Sequence, residues 1–183
     1  MKALIINEMQ NDLCNPGPFY NQNSLEIIPT INRIKDSFQL SIFIINSYSK
    51  NHSIFQKQGG KFLENCIEDT PGCEIYPFIN IKKTDPIIKK STLQSYESSS
   101  GFFDAEIINK QTDLLKILKL KNITELYFCG NGIDRSILST IIDAIKYKFK
   151  CFVVENGISY KNKINFEKCK KFLINSGVVF VNI

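Results

Sequence analysis

The sequence predicts an α/β protein in which a largely parallel sheet is covered by helices on both faces. Short apolar runs, too short for helices, alternate with segments of 3.6-residue apolar period. Residues 126–129 form one such run, which breaks at Gly130 and Gly132 and gives way to Ile133, Ile137, Ile141 and Ile145, a strand, tight turn and helix. The 183 residues, 43% of them hydrophobic, show no repeat and no linker, so a single domain spanning 1–183 is expected.

Taken in order, Lys2–Asn7 is a continuous apolar run suited to a central strand buried on both faces, with Glu8 at its carboxyl end. Residues 15–18 read as a loop. Ser24 is expected to cap a helix carrying Ile27, Ile28, Ile31 and Ile34. Leu40–Asn46 is a second strand. A polar excursion over 47–69 holds the only histidine, His52, and a Gly59-Gly60 hinge; Thr70-Pro71-Gly72 is a turn. Residues 87–89 form a short strand, 95–101 a Ser-rich loop, and 112–120 a helix. The helix opening at Ile133 runs to about Tyr147, followed by a strand at 150–155, a helix at 166–174 and a last strand at 178–182.

Composition narrows the function classes. The net charge is +5, but Lys is scattered and only Arg33 and Arg135 could fork onto bases or phosphates, which argues against a sequence-specific nucleic-acid reader. Six cysteines without C-x-x-C spacing read as buried free thiols in a reducing compartment. No apolar run approaches ~20 residues, so membrane insertion is not expected. With no secretory or transit leader visible, an intracellular location follows, cytoplasmic by default and an organelle otherwise.

In an α/β sheet, chemistry gathers at the carboxyl edge, which directs attention to residues 134–136 after the Gly130 turn. Five segments there and elsewhere match one family in order. Glu8-Met-Gln-Asn-Asp-Leu13 is similar to D-x-Q-N-D-F, and residues 62–74 to W-P-x-H-C-x-x-G-T-x-G. Lys90-Ser-Thr92 lies at K-G-T, Ser100-Gly-Phe-Phe-Asp104 at S-A-F-x-D, and residues 130–144 follow G-x-x-T-D-x-C-V-x-x-T-A-x-D-A. The chain thereby resembles the isochorismatase-like cysteine hydrolases, nicotinamidases above all. The resemblance implies a three-layer α/β/α, Rossmann-like fold with a six-stranded, mainly parallel sheet. It also implies an Asp–Lys–Cys triad, backbone amides in the turn that hold an oxyanion, and a metal held by an Asp and histidines.

Carried over residue by residue, the Asp becomes Glu8, the Lys is Lys90 or its neighbour Lys89, and the nucleophile becomes Ser136. The oxyanion turn falls on Asn131 and Gly132, where some relatives have a cis peptide. Asp134 reads as a helix cap. The metal positions become Ser47, Ser49, His52 and Asn65, so no metal and no other cofactor is expected. A Cys needs little help to ionise from ~8.5, whereas a hydroxyl starts near ~15.7 and a helix terminus supplies only ~0.3–1 kcal/mol. Glu8, a methylene longer than Asp, can misplace the base by about an ångström, worth ~10²-fold in rate. Two readings stand. The first is a catalytically impaired protein serving an assembly with other proteins, with self-association common in the family. The second is an active hydrolase of a small amide, such as nicotinamide, using Ser136.

Overall fold

The computed structural model describes residues 1–15, 19–21 and 23–183, so 16–18 of the expected first loop lie outside it. Its elements are β1 (Lys2–Asn7), α1 (Asn11–Cys14), α2 (Ile28–Ile34), β2 (Leu40–Asn46), β3 (Ile87–Lys90), β4 (Phe103–Ala105), β5 (Lys110–Gln111), α3 (Leu114–Leu120), β6 (Glu125–Gly130), α4 (Leu138–Lys146), β7 (Lys150–Ile158), α5 (Lys163–Asn175) and β8 (Val179–Val181). Six strands form one sheet in the order β3-β2-β1-β6-β7-β8, every neighbouring pair parallel. Strand order reverses between β1 and β6, so the crevice of this doubly wound fold opens above the ends of those two strands.

The apolar run in β1 follows from burial on both sides. Ala3 and Ile5 join a core with α3, α4 and α5 through Leu114, Ile141 and Leu173. Leu4 and Ile6 face the opposite layer, with Ile28, Ile31 and Ile34 of α2. Three layers result, as the resemblance implied.

Several local expectations are corrected. Ser24 caps no helix: its hydroxyl donates to Asn131 Oδ1 at 2.9 Å, and α2 begins later, with Ile27 at its cap position and Pro29 in its first turn. Asn162, whose side chain accepts from the Asn165 amide at 3.0 Å, starts α5 three residues before the expected 166. The helix after β6 opens as a wide turn, Ile133–Ile137, in which the Ile137 amide reaches back five residues to Gly132 O at 2.9 Å. Gly59-Gly60 is a closed turn, the Gly60 amide donating to Phe55 O at 2.8 Å. The polar excursion over 47–69 encloses its own small core of Tyr48, Phe55 and Cys66. The hairpin β4–β5 and the one-turn α1 had no periodic signal long enough to read.

Asp104, the last residue of the Ser100–Asp104 motif, ties this hairpin to the end of β3. Its oxygens accept from the Thr92 amide and hydroxyl, both at 2.8 Å, and from Lys110 Nζ at 2.7 Å. Burial alone would raise its pKa, but the Lys110 and Thr92 bonds outweigh it and hold the carboxyl below the usual range. A depressed folded pKa gives stability that is present above the unfolded value of ~3.9 and is lost as pH falls through the folded one. Asp104→Asn is therefore expected to cost about 1–3 kcal/mol in urea unfolding at pH 7. That deficit should shrink at pH 3; an unchanged deficit would mean that the charge is irrelevant.

Candidate functional site

Glu8, Lys90 and Ser136 are brought together at the switch point by three different strand ends. Glu8 follows β1 with φ +52°, its amide donating to Ile44 O at 2.8 Å. Cys66 and Ser91, also buried, share this left-handed backbone at φ +46° and +58°. Such residues cost of order 1 kcal/mol each and mark a site held by its surroundings. Alternation along β3 settles which lysine turns inward: Lys90 is 2% exposed, whereas Lys89 faces solvent. Lys90 Nζ spends its three N–H bonds on Glu8 Oε1 at 3.1 Å, Asn46 Oδ1 at 2.7 Å and Ser98 O at 2.9 Å.

Ser136 is 3% exposed in the wide turn. Its hydroxyl is bonded to neither Glu8 nor Lys90 and donates to Asn7 Oδ1, at 3.3 Å. A Cβ placed on Gly132 would lie 3.3 Å from both Glu8 Oε2 and Ser136 Cβ, so carboxylate and serine flank the same glycine. At Gly130, φ +106°, a Cβ would stand 2.3 Å from Asn7 O; only glycine lets β6 pass β1 here.

Asn131 serves the turn differently from the expectation. Its amide already donates to Asn7 O at 2.9 Å, leaving Gly132 as the one of the two with an amide for an oxyanion. The Asn131 side chain is a buried hub: Nδ2 donates to Glu8 O at 3.0 Å, and Oδ1 accepts from Ser24 and Ser159. No peptide bond between described residues is cis. Asp134 stands exposed, and the wide turn it was expected to cap begins at Gly132 with no side-chain cap bond.

No thiol substitutes for the missing nucleophile. All six cysteines are buried and free. Burial pushes Cys14 and Cys169 up to about 11 and Cys151 to about 12, and drives Cys129, beside the turn, higher still. The metal positions carry no fitting donor set either. Ser47 and Ser49 offer neutral hydroxyls, the Asn65 amide donates to Leu63 O at 2.9 Å, and both ring nitrogens of His52 are engaged by backbone.

Between these groups lies a cleft of about 250 Å³, lined by Glu8, Lys90 and Ser136 together with the rings of Tyr48, Phe19 and Phe62. At its mouth Arg135 lies 5.0 Å from the Phe62 ring centre and pairs with Glu97 at 2.8 Å. Sequence reasoning missed Asn7, Ser98, the Asn131 hub and the role of Asn46, which the family motif places beside the metal positions and which instead accepts from Lys90. Asn7 and Asn46 carried a usable signal, a polar residue ending an otherwise apolar buried strand; Ser98 carried none.

This geometry has relatives. A pyrazinamidase of Pyrococcus horikoshii, solved in complex with zinc, has a TM-score of 0.90 at 26% identity, over 100% of this chain and 99% of that one. The yeast nicotinamidase Pnc1p has a TM-score of 0.91 at 21% identity, over 100% of both chains. In sequence, a nicotinamidase of Schizosaccharomyces pombe is 26% identical over 182 residues, spanning 85% of this chain and 81% of the relative. The description of the Isochorismatase domain matches residues 2–171, nearly the whole chain. Fold and sequence agree: this chain belongs to the isochorismatase domain family, close to its nicotinamidases.

Proposed function

We propose that this protein is a catalytically impaired member of its family, which keeps the cleft for binding a small planar amide or acid and acts with partner proteins in an assembly. The observation that carries this reading is the hydrogen bonding of Ser136 and Lys90. The serine hydroxyl is held by a neutral amide oxygen, and the lysine has no N–H bond left over. A serine nucleophile needs a base positioned on its proton. The open cleft supports retained binding, and replacement of nucleophile and metal positions supports a role apart from turnover.

A turnover assay on nicotinamide and related amides, run beside Ser136→Ala, tests it. Both proteins are expected at background, with the ligands raising the melting temperature. Turnover within the ordinary range of ~1–10³ s⁻¹, lost in Ser136→Ala, would sink the reading. Native co-purification with mass spectrometry tests the partner role, and a monomer recovered alone speaks against it. One observation favours the second reading, an active Ser136 amidohydrolase: Glu8 Oε2 and Ser136 Cβ flank the same glycine, Gly132. The double variant Glu8→Asp with Ser136→Cys separates the two, since strong gain of hydrolysis means that only the reactive groups were missing.

A further inference from the structure

We propose that protein contacts close the 47–69 lobe onto the cleft where the family resemblance would place a metal ion, and that His52 is the positioning residue in that closure. The ring of His52 is fully buried. The Ile54 amide, which can only donate, reaches Nδ1 at 3.2 Å, so Nδ1 presents its lone pair there. The Tyr96 carbonyl, which can only accept, sits 3.1 Å from Nε2, so Nε2 carries the proton. Neither nitrogen has a lone pair left for a cation.

The surroundings add no other ligands. Among the described residues no three His, Cys, Asp or Glu side chains gather, and Pro16, Gly17, Pro18 and Gln22 supply none. Zinc sites draw on thiolates, imidazoles and carboxylates. In their place stand edge-on contacts of the His52 ring with Tyr48 at 4.9 Å and Phe55 at 6.1 Å between ring centres.

These contacts reach the site. The His52 bond to Tyr96 and the Ser53 amide bond to Gln94 O, at 2.8 Å, fasten the loop that follows β3 to the lobe. One residue beyond Tyr96, Glu97 pairs with Arg135; two residues beyond, Ser98 O accepts from Lys90. The imidazole thus fixes the segment that supplies one of the three acceptors of Lys90, while Tyr48, Ile54 and Phe62 of the same lobe wall the cleft.

The closure does not depend on what the cleft binds, and neither does its test. Elemental analysis of protein expressed with added zinc is expected to find less than one ion per ten chains, and zinc or EDTA to move the melting temperature by under about 1 °C. Hydrogen exchange followed by mass spectrometry should show His52→Ala losing roughly tenfold or more of its protection over 48–62 and 93–98, with β1 and β6 unchanged. In His52→Gln the amide can still donate to Tyr96 O, so protection over 93–98 should return. Stoichiometric zinc, or a zinc-induced stabilisation that His52→Gln abolishes, would overturn the proposal. So would uniform loss of protection across the sheet, or no rescue by Gln. If His52→Ala does not fold, the metal measurements on the native chain and the exchange pattern of His52→Gln still decide.

Discussion

Lys90→Met is expected to lower the unfolding free energy by about 3–5 kcal/mol, the cost of breaking a buried ion pair from one side. Met fills much of the lysine volume, so a cavity contributes little. What remains is a Glu8 carboxylate only 12% exposed and Asn46 Oδ1, both stripped of their lysine donor, while Ser98 O keeps only the Ser91 hydroxyl at 3.3 Å. Each buried acceptor left unmade costs about 1–3 kcal/mol, and a charged one more. In a domain of this size the melting temperature should fall by about 6–20 °C. Lys90→Met combined with Glu8→Gln removes both charges and should recover about half of the loss, a coupling that a double-mutant cycle measures. A single-variant cost under about 1 kcal/mol would show that water reaches the pair and screens it. The pair therefore has a structural reason to exist that is independent of turnover.

How far the sequence could be read follows from what each residue answers to. The strands were legible because burial on both faces leaves a run such as Ala3 to Ile6 with no polar position, whatever its neighbours are. Glu8, Lys90 and Ser136 were legible as site positions through the family motifs that they occupy, and a parallel sheet carries those strand ends to one edge. The wide turn at Ile133–Ile137 was hidden by its own spacing: Ile133, Ile137 and Ile141 are all buried, and that four-residue spacing also fits a regular helix. Ser24 misled because a hydroxyl ahead of an apolar period can cap locally or serve a distant partner. Here the partner is Asn131, 107 residues away, and no local rule contains that contact. His52 was placed at a metal position by alignment with a motif, while its actual partners, Ile54 and Tyr96, are backbone groups and leave no mark in sequence.

Alkali should destabilise this fold sharply, by about 4–6 kcal/mol between pH 7 and pH 10. Burial raises the thiols of Cys14, Cys129, Cys151 and Cys169 to about 11 or beyond in the folded chain, whereas an unfolded thiol ionises near 9. A raised folded pKa means that the unfolded chain gives up its protons first. The stability is therefore fully present below pH ~9 and drains away as pH climbs toward the folded values. At one unit above the unfolded pKa, each of these four thiols contributes about 1 kcal/mol, and Cys66 and Cys73, raised by burial as well, add to that loss. Against an ordinary stability of ~5–15 kcal/mol, that loss brings the urea midpoint close to zero for a marginal domain. The measurement is urea unfolding in reductant at pH 7, 8, 9 and 10. Replacing Cys151 and Cys169 with Val removes two of the six raised thiols and should lower the slope above pH 9 by about a third. A slope unchanged by those substitutions would show that these two thiols do not carry the loss. The same burial that makes these thiols costly to ionise makes them poor nucleophiles. Native protein at pH 8 should accordingly resist alkylation by iodoacetamide, which leaves the cysteines out of any nucleophilic role in the cleft.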